Sequence, residues 1–348
     1  MTTSARTSRR GRPAAGVARV TIIDVAEAAG VSVSTVSKVI NDRYGVSQDT
    51  YDKVMGVVTE LGYESSLVAS SLRRHSTNVI GILVPEFEPF SAELLKGISA
   101  AAEGTGYELL AYSGNLDHNQ VGWERRSLSR LAGTLIDGAV VVAPTATVMD
   151  APIPVVAVDP HTGKSGTSTI EADNVGGARA ATEYLIALGH RRIAHVRGRE
   201  DLVSASLREQ GYREALDAAG IPFDPALVRV GGYRAAETTD AARELLTLPD
   251  RPTAIFSAND LSAIRVMEVA AQLGLLVPQD VSVVGFDNVP EAANATPPLT
   301  TVAQPLHEMG AEAVRLLLGL LSGAVTEEHL RVPATLVVRG STAPPATT

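Results

Sequence analysis

The sequence predicts a small all-α helix-turn-helix headpiece followed by an α/β body of two lobes, each built on a doubly wound parallel sheet. Three observations predict it. Residues 20–64 carry short helical segments punctuated by caps and glycines, and from residue 78 onward continuous apolar runs alternate with amphipathic stretches. The third is charge. Residues 1–78 hold 10 Lys/Arg and 7 Asp/Glu, a balance of +3, while residues 79–348 hold 20 and 32, a balance of -12. Only a basic head on an acidic body is suited to approach a polyanion.

The remaining composition narrows the class. In a chain of 348 residues with 45% hydrophobic and 20% charged types, two or three folded domains are expected rather than disorder. The absence of cysteine excludes disulfides and cysteine-ligated metal sites. No apolar run reaches membrane-spanning length, and Arg6, Arg9, Arg10, Arg12 and Arg19 precede no apolar core of the kind a signal peptide needs. These features predict a cytoplasmic protein with no membrane association, with 1–19 as a disordered basic tail.

The first helix follows Thr21-Ile22-Ile23-Asp24, a capping-box pattern, and runs through Val25, Ala26 and Ala29 to Gly30. Ser32 is placed to cap a second helix through Ile40. Ala26, Gly30 and Val36 then fall where a helix-turn-helix needs a small contact residue, a turn glycine and an apolar lock. Ser47 caps a third helix, on which Tyr51, Val54, Val57, Val58 and Leu61 recur at helical spacing before Gly62. The second helix offers Val33, Ser34, Thr35, Ser37 and Lys38 to a major groove. Val33 and Ser34 near its start are best placed for base edges, and the other three suit phosphates or further bases. The headpiece thus spans 20–64. The segment 65–77 contains Ser65-Ser66-Leu67-Val68-Ala69-Ser70-Ser71-Leu72-Arg73-Arg74, helix-compatible but too short to bury its own apolar residues.

In the body, the runs 79–84, 107–112, 138–142, 155–158, 192–196, 253–256 and 281–286 read as buried strands, with helices over 91–104 and 123–132 between the early ones. The rhythm restarts after Asp173, so two lobes of near half the body each are expected, with a cleft beyond the carboxyl ends of their strands. Asp159, Asn259, Asp260, Asp287 and Asn288 stand at strand ends. Arg208 lies with Ser204 in a segment that begins a helix. Carboxylates, an amide and a guanidinium converging on a cleft can pair with the vicinal hydroxyls of a sugar or another polyol.

These residues resemble the LacI/GalR family of bacterial transcription regulators. The likeness runs from about residue 20 to 340. It is carried by Thr21-Ile22-Ile23-Asp24-Val25-Ala26-Glu27-Ala28-Ala29-Gly30-Val31-Ser32 and Thr35-Val36-Ser37-Lys38-Val39-Ile40-Asn41 in the head. In the body it rests on 187–194, Val283-Val284-Gly285-Phe286-Asp287 and Pro297-Pro298-Leu299-Thr300-Thr301-Val302. The resemblance implies a periplasmic-binding-protein-like sensor and dimerisation domain over 78–340, a flexible tail over 341–348, and a homodimer on a pseudo-palindromic operator. It implies a hinge helix over 66–73, with Leu72 wedged into the minor groove and Arg73 beside it. The DNA-contacting set is then Thr21, Ser32, Val33, Ser34, Thr35, Ser37, Lys38, Asn41, Leu72 and Arg73, and the effector set is Phe90, Asp159, Ser204, Arg208, Asn259, Asp260 and Asp287. The chain departs from the family's usual pattern in having Ser65-Ser66 for Pro-Asn and Glu88-Pro89-Phe90-Ser91 for Asn-Pro-Phe-Phe.

Other motifs are set aside. Gly163-Lys164-Ser165 resembles the end of a P-loop, but Val158 stands where the first glycine is required. His190 and His195 sit across a loop and a strand without further ligands, so no metal is expected. Trp123, the only tryptophan, reads as packing. No Gly-x-Ser-x-Gly elbow or paired acid and base supports an enzyme, and no cofactor is expected. The expected function is repression of a carbohydrate uptake or utilisation operon, relieved by a small sugar. The alternatives are a regulator answering to a purine or other metabolite, and a transport-type sugar-binding protein. The Arg-rich start in place of an export signal disfavours the last. No C-terminal leucine heptads are present, so a dimer is expected over a tetramer held by a coiled coil.

Overall fold

The structure, a computed structural model, describes residues 20–40, 44–63, 76–114, 122–146, 151–161, 167–324 and 326–346. The basic tail, Asn41, the expected hinge segment with Leu72 and Arg73, and the Gly163-Lys164-Ser165 stretch lie outside these residues. The chain divides into two compact units, Met1–Arg74 and His75–Thr348.

The first unit contains helices α1 (Ile22–Ala29), α2 (Val33–Ile40) and α3 (Gln48–Leu61). Thr21 and Asp24 form the expected capping box: the Asp24 carboxylate accepts from the Thr21 backbone N–H at 2.7 Å and Thr21 Oγ1 accepts from Asp24 N–H at 3.4 Å. Gly30 ends α1 at φ 63°, ψ 37°, a left-handed conformation in which a Cβ is strained. Val25, Ala26, Ala29, Val36, Val39 and Val54 form the small core between the three helices.

The second unit holds two six-stranded sheets. Lobe 1 is built from β1 (Val79–Val84), α4 (Pro89–Ala102), β2 (Glu108–Ser113), α5 (Trp123–Leu131), β3 (Gly138–Val142), β4 (Val155–Val158) and β5 (Ser168–Ala172). Lobe 2 follows with α6 (Asn174–Ala187), β6 (Ile193–Arg197), α7 (Val203–Ala218), β7 (Val228–Val230), α8 (Ala235–Leu246), β8 (Ala254–Ser257), α9 (Asp260–Gln272), β9 (Ser282–Asp287), α10 (Pro290–Asn294) and β10 (Thr300–Ala303). The chain then returns to lobe 1 as α11 (Leu306–Ser322) and β11 (His329–Val332) before ending in lobe 2 as β12 (Thr335–Val337).

The strand order is β11-β5-β4-β3-β1-β2 in lobe 1, every neighbouring pair parallel, with Ile80 facing Gly138 and His329 facing Thr169. In lobe 2 it is β12-β10-β9-β8-β6-β7, parallel except where β12 runs against β10. Both sheets are covered on both faces, which is why their central strands read as unbroken apolar runs. In lobe 1, α4 and α11 bury Leu94, Ile98, Met309 and Leu317 on one face, and α5 buries Trp123, Leu128 and Leu131 on the other. In lobe 2, α8 and α9 bury Leu245 and Val266 on one face, and α6 and α7 bury Leu185 and Tyr212 on the other.

Two expectations are corrected. The lobes are not successive halves of the body: α11 and β11 complete lobe 1, so the chain crosses between lobes three times, at 172–174, 303–306 and 332–335. A parallel edge strand needs only a free ladder, and β5 offers one to a distant segment through Thr169 and Glu171. Residues 341–346 are also not a loose tail. Ser341 is fully buried, its hydroxyl donating to Val283 O at 2.6 Å and accepting from Thr300 N–H at 2.8 Å, while Ala343 is bonded to Ser282 and to the ring of His190. These residues satisfy backbone groups that β9 and β10 would otherwise leave buried and unpaired.

Candidate functional site

On the headpiece, α2 turns Val36 and Val39 inward and leaves Val33 43% exposed beside exposed Ser34 and Lys38. Thr35 and Ser37 are half-buried. Ser32 caps the helix, its Oγ accepting from Thr35 N–H at 3.1 Å and sharing hydrogen bonds with Ser34 Oγ at 2.8 Å and Thr35 Oγ1 at 2.9 Å. Three hydroxyls and one valine methyl pair therefore cluster at the amino end of α2, where backbone N–H groups and the helix dipole favour a phosphate or a base acceptor.

In the body, a cleft of about 840 Å³ including its open mouth lies between the lobes, beyond the carboxyl ends of the strands. Lobe 1 supplies Glu86, Glu88, Phe90, Trp123, Asp159 and His161, and lobe 2 supplies Arg199, Ser204, Arg208, Tyr233, Arg234, Asn259 and Asp287. Six of the seven expected effector residues are brought together here. Backbone geometry at the strand ends aims two of them: Asp159 has φ 50° and Asp287 φ 113°, conformations that Asp and Asn tolerate better than most residues.

Arg208 is the organising group. Its side chain is 3% exposed, stacks over the Phe286 ring at 3.8 Å, donates from Nε to Asn174 Oδ1 at 2.8 Å and from Nη1 to Ala258 O, and lies 3.5 Å from Asp287 Oδ1. Asp287 accepts from Gln304 Nε2 at 2.7 Å. Burial pushes its carboxyl well above the usual range, while the Arg208 guanidinium pulls the other way. Asn174 reaches from Arg208 toward Asp159 Oδ1 at 3.5 Å, so the two strand-end carboxylates are linked through one guanidinium and one amide. Asn174 sits on the first crossing between lobes and Gln304 on the second, which ties the site to the segments that join the lobes.

The other expected residues have mixed assignments. Ser204 Oγ bonds Tyr233 Oη at 2.9 Å and lies 3.4 Å from His161 Nδ1 across the cleft. Asn259 spends both ends of its amide on the protein, capping α9 through Ser262 N–H at 3.0 Å and donating to Tyr233 O at 3.0 Å. Asp260 is not in the cleft. It is fully buried behind it, accepting from Thr301 Oγ1 at 2.5 Å and Val289 N–H at 2.9 Å, so its expected effector contact is replaced by closure of the loop between β9 and β10. Trp123 both packs in the lobe 1 core and forms part of the cleft wall.

Sequence reasoning did not reach His161, Asn174, Tyr233 or the arginines 199 and 234, and it met Glu88 only as a departure from the family's usual pattern. Asn174 had a signal, since it follows Asp173 where the strand rhythm restarts. Tyr233 had little, because it follows β7, a strand of only 3 residues. His190 and His195 serve the fold: His190 bridges Thr253 and Ala343, and His195 is stacked between Tyr212 and Phe256.

A capped helix-turn-helix presenting a polar helix start, on a two-lobed α/β body with a polar cleft at its strand ends, defines a ligand-responsive DNA-binding regulator. The chain belongs to the lacI family of bacterial regulatory proteins. The model of that family matches residues 21–66, and the model of the periplasmic binding protein-like domain matches 182–342. The HTH-type transcriptional regulator CelR of Thermobifida fusca is 36% identical over 96% of this chain and 99% of its own length. The ribose operon repressor of Escherichia coli is 34% identical over 92% and 99%. Among solved structures, a lac repressor dimer bound to operator and the anti-inducer ONPF aligns with a TM-score of 0.79 at 29% identity, covering 93% of this chain and 99% of that one. A CelR–cellobiose complex aligns with a TM-score of 0.68 at 35% identity, over 93% and 100%. The protein is thus a transcription regulator and not an enzyme. No helix among the described residues is long and apolar enough to cross a membrane.

Proposed function

We propose that the protein acts in the cytoplasm as a homodimeric repressor of a carbohydrate uptake or utilisation operon, released from a pseudo-palindromic operator by a sugar bound between its lobes. The observation that carries this reading is the buried Arg208–Asp287 pair in the interlobe cleft, with Asp159 and Asn174 beside it: a fork of donors next to acceptors suits vicinal hydroxyls. The relatives support the class of ligand, since cellobiose and ribose figure in their names. Val33 and Ser34 read base edges of the operator, Thr35, Ser37 and Lys38 take phosphates or further bases, Thr21, Ser32 and Asn41 complete the contacting set, and Leu72 and Arg73 act at the centre of the site.

In this mechanism the effector closes the lobes about the three crossings. The closure shifts a dimer interface in the region from Leu83 to Gly104, and the two hinge segments separate so that neither Leu72 can wedge. Linkage requires the effector to bind the DNA-free state more tightly. The test is a thermal-shift screen of sugars, glycosides and purines with and without the upstream DNA. A sugar at a hundred times its Kd should stabilise the protein by about 2.7 kcal/mol and release the DNA. Arg208→Ala should lose the response, with affinity for that sugar falling on the order of a hundredfold, and retain operator binding. A hit among purines alone, or an Arg208→Ala protein that still responds, would overturn the assignment.

A further inference from the structure

We propose that the cleft selects effectors that carry no negative charge, excluding phosphorylated sugars and sugar acids, and that Glu88 sets this selection. The inference rests on the cleft being the effector site.

Each arginine of the cleft already faces a carboxyl group. Arg208 is held by Asp287, Asn174 and the Ala258 carbonyl. Arg199 grips Asp201 with two bonds, at 3.0 and 2.6 Å. Arg234 pairs with Glu86 across the cleft and lies 3.7 Å from Glu237. Burial holds the His161 ring below its ordinary pKa, hence neutral near pH 7. An incoming phosphate would therefore meet a carboxyl group beside each of these guanidiniums.

Glu88 stands in the opposite condition. It occupies the N-cap position of α4 with extended backbone at φ -96°, ψ 169°, yet its side chain makes no capping bond. Its backbone carbonyl accepts from Ala92 N–H at 2.9 Å, but its carboxyl makes no hydrogen bond among the described residues, and it lines the cleft beside Glu86. A 14-residue helix pointing its amino end at a cleft would ordinarily draw an anion there. Here a carboxyl is placed at that end, and Pro89 removes one of the N–H donors. Burial and the neighbouring Glu86 push the Glu88 carboxyl up to about 7, so at neutral pH it is available both to accept from a hydroxyl and to donate to one. Toward a phosphate dianion its charged form is repulsive in a partly dry cleft, where charge interactions are stronger than in water; a proton on the carboxyl relieves that repulsion, so the selection is expressed above pH 7, where the charged form prevails.

The experiment is calorimetric titration of the full-length protein, Glu88→Gln and Glu88→Asp, with glycosides against their 6-phosphates and nucleosides against their 5′-monophosphates. At pH 8 in the wild type, the phosphorylated member of the binding pair should be weaker by about tenfold. Glu88→Gln should narrow that gap and Glu88→Asp should keep it. If the sugar reading fails while charge selection holds, the glycosides are silent and a nucleoside binds in preference to its monophosphate. Equal binding of a phosphorylated partner, a gap unmoved by Glu88→Gln, or silence in both sets overturns the proposal.

Discussion

Asp260 shows how one residue type at one kind of position serves two ends. It sits at a strand end with Asp159 and Asp287, but its carboxylate points behind the sheet and closes a loop through Thr301 and Val289. Burial pushes this carboxyl from the ordinary 3.8 up to about 7, hydrogen bonds from Thr301 and from the Val289 and Asn288 backbone opposing the shift. A carboxyl raised on folding contributes stability that is complete below the unfolded pKa and lost as pH rises through the folded one. Between pH 5 and 8 the wild type should therefore lose melting temperature through this group, and Asp260→Asn, which cannot titrate, should lose less. Melting curves at both pH values check it; a constant difference between the two proteins would remove Asp260 as a source. Glu88 and Asp287, also raised, act with the same sign.

At the scale of elements, the contact between α4 and α11 decides whether lobe 1 holds together. It is made through glycines: a Cβ on Gly97 would stand 2.1 Å from the His307 carbonyl oxygen, and one on Gly310 would stand 2.5 Å from that of Leu94. The backbones touch, and the flanking Leu94, Ile98, Met309 and Leu317 interdigitate around the contact. Gly97→Ala forces the helices apart and should cost about 1–3 kcal/mol, lowering the melting temperature of the body by several degrees. Differential scanning calorimetry would show this, and an unchanged transition would mean that the helices can slide. The sequence shows Gly97 in a helix without saying what approaches it, since α11 is more than two hundred residues away.

On the scale of the whole molecule, the three crossings matter most. Asp173 N–H donates to Val332 O at 2.8 Å, joining the first crossing to the third, and Gln304 N–H reaches Asp287 O at 3.3 Å on the second. A ligand that draws Asp159 of one lobe toward Arg208 and Asp287 of the other acts directly on these segments. The proposed consequence at the DNA is withdrawal of the Leu72 wedge. Leu72→Ala should weaken operator binding by about tenfold or more, since the bend of the central step would lose its apolar support. Fluorescence anisotropy with a labelled operator measures it, and wild-type affinity would remove the wedge from the mechanism.

What the sequence determined alone was local or periodic. The capping box at Thr21 and Asp24, the turn at Gly30, the apolar spacing of α2 and α3, and the unbroken runs of β1, β3 and β9 each follow from a few adjacent residues obeying backbone and burial rules. Asp159 and Asp287 were legible because polar residues at the carboxyl ends of parallel strands commonly face the cleft, and Arg208 because it lies on the helix that follows such a strand. Pairing across long separations was decided only by the tertiary structure. The return of α11 and β11 to lobe 1, the fastening of Ser341 against β9, the inward turn of Asp260 and the placing of Glu88 opposite Arg234 all depend on which surfaces meet. Residue spacing encodes the face an element presents, but the partner of that face is chosen by packing the whole chain at once.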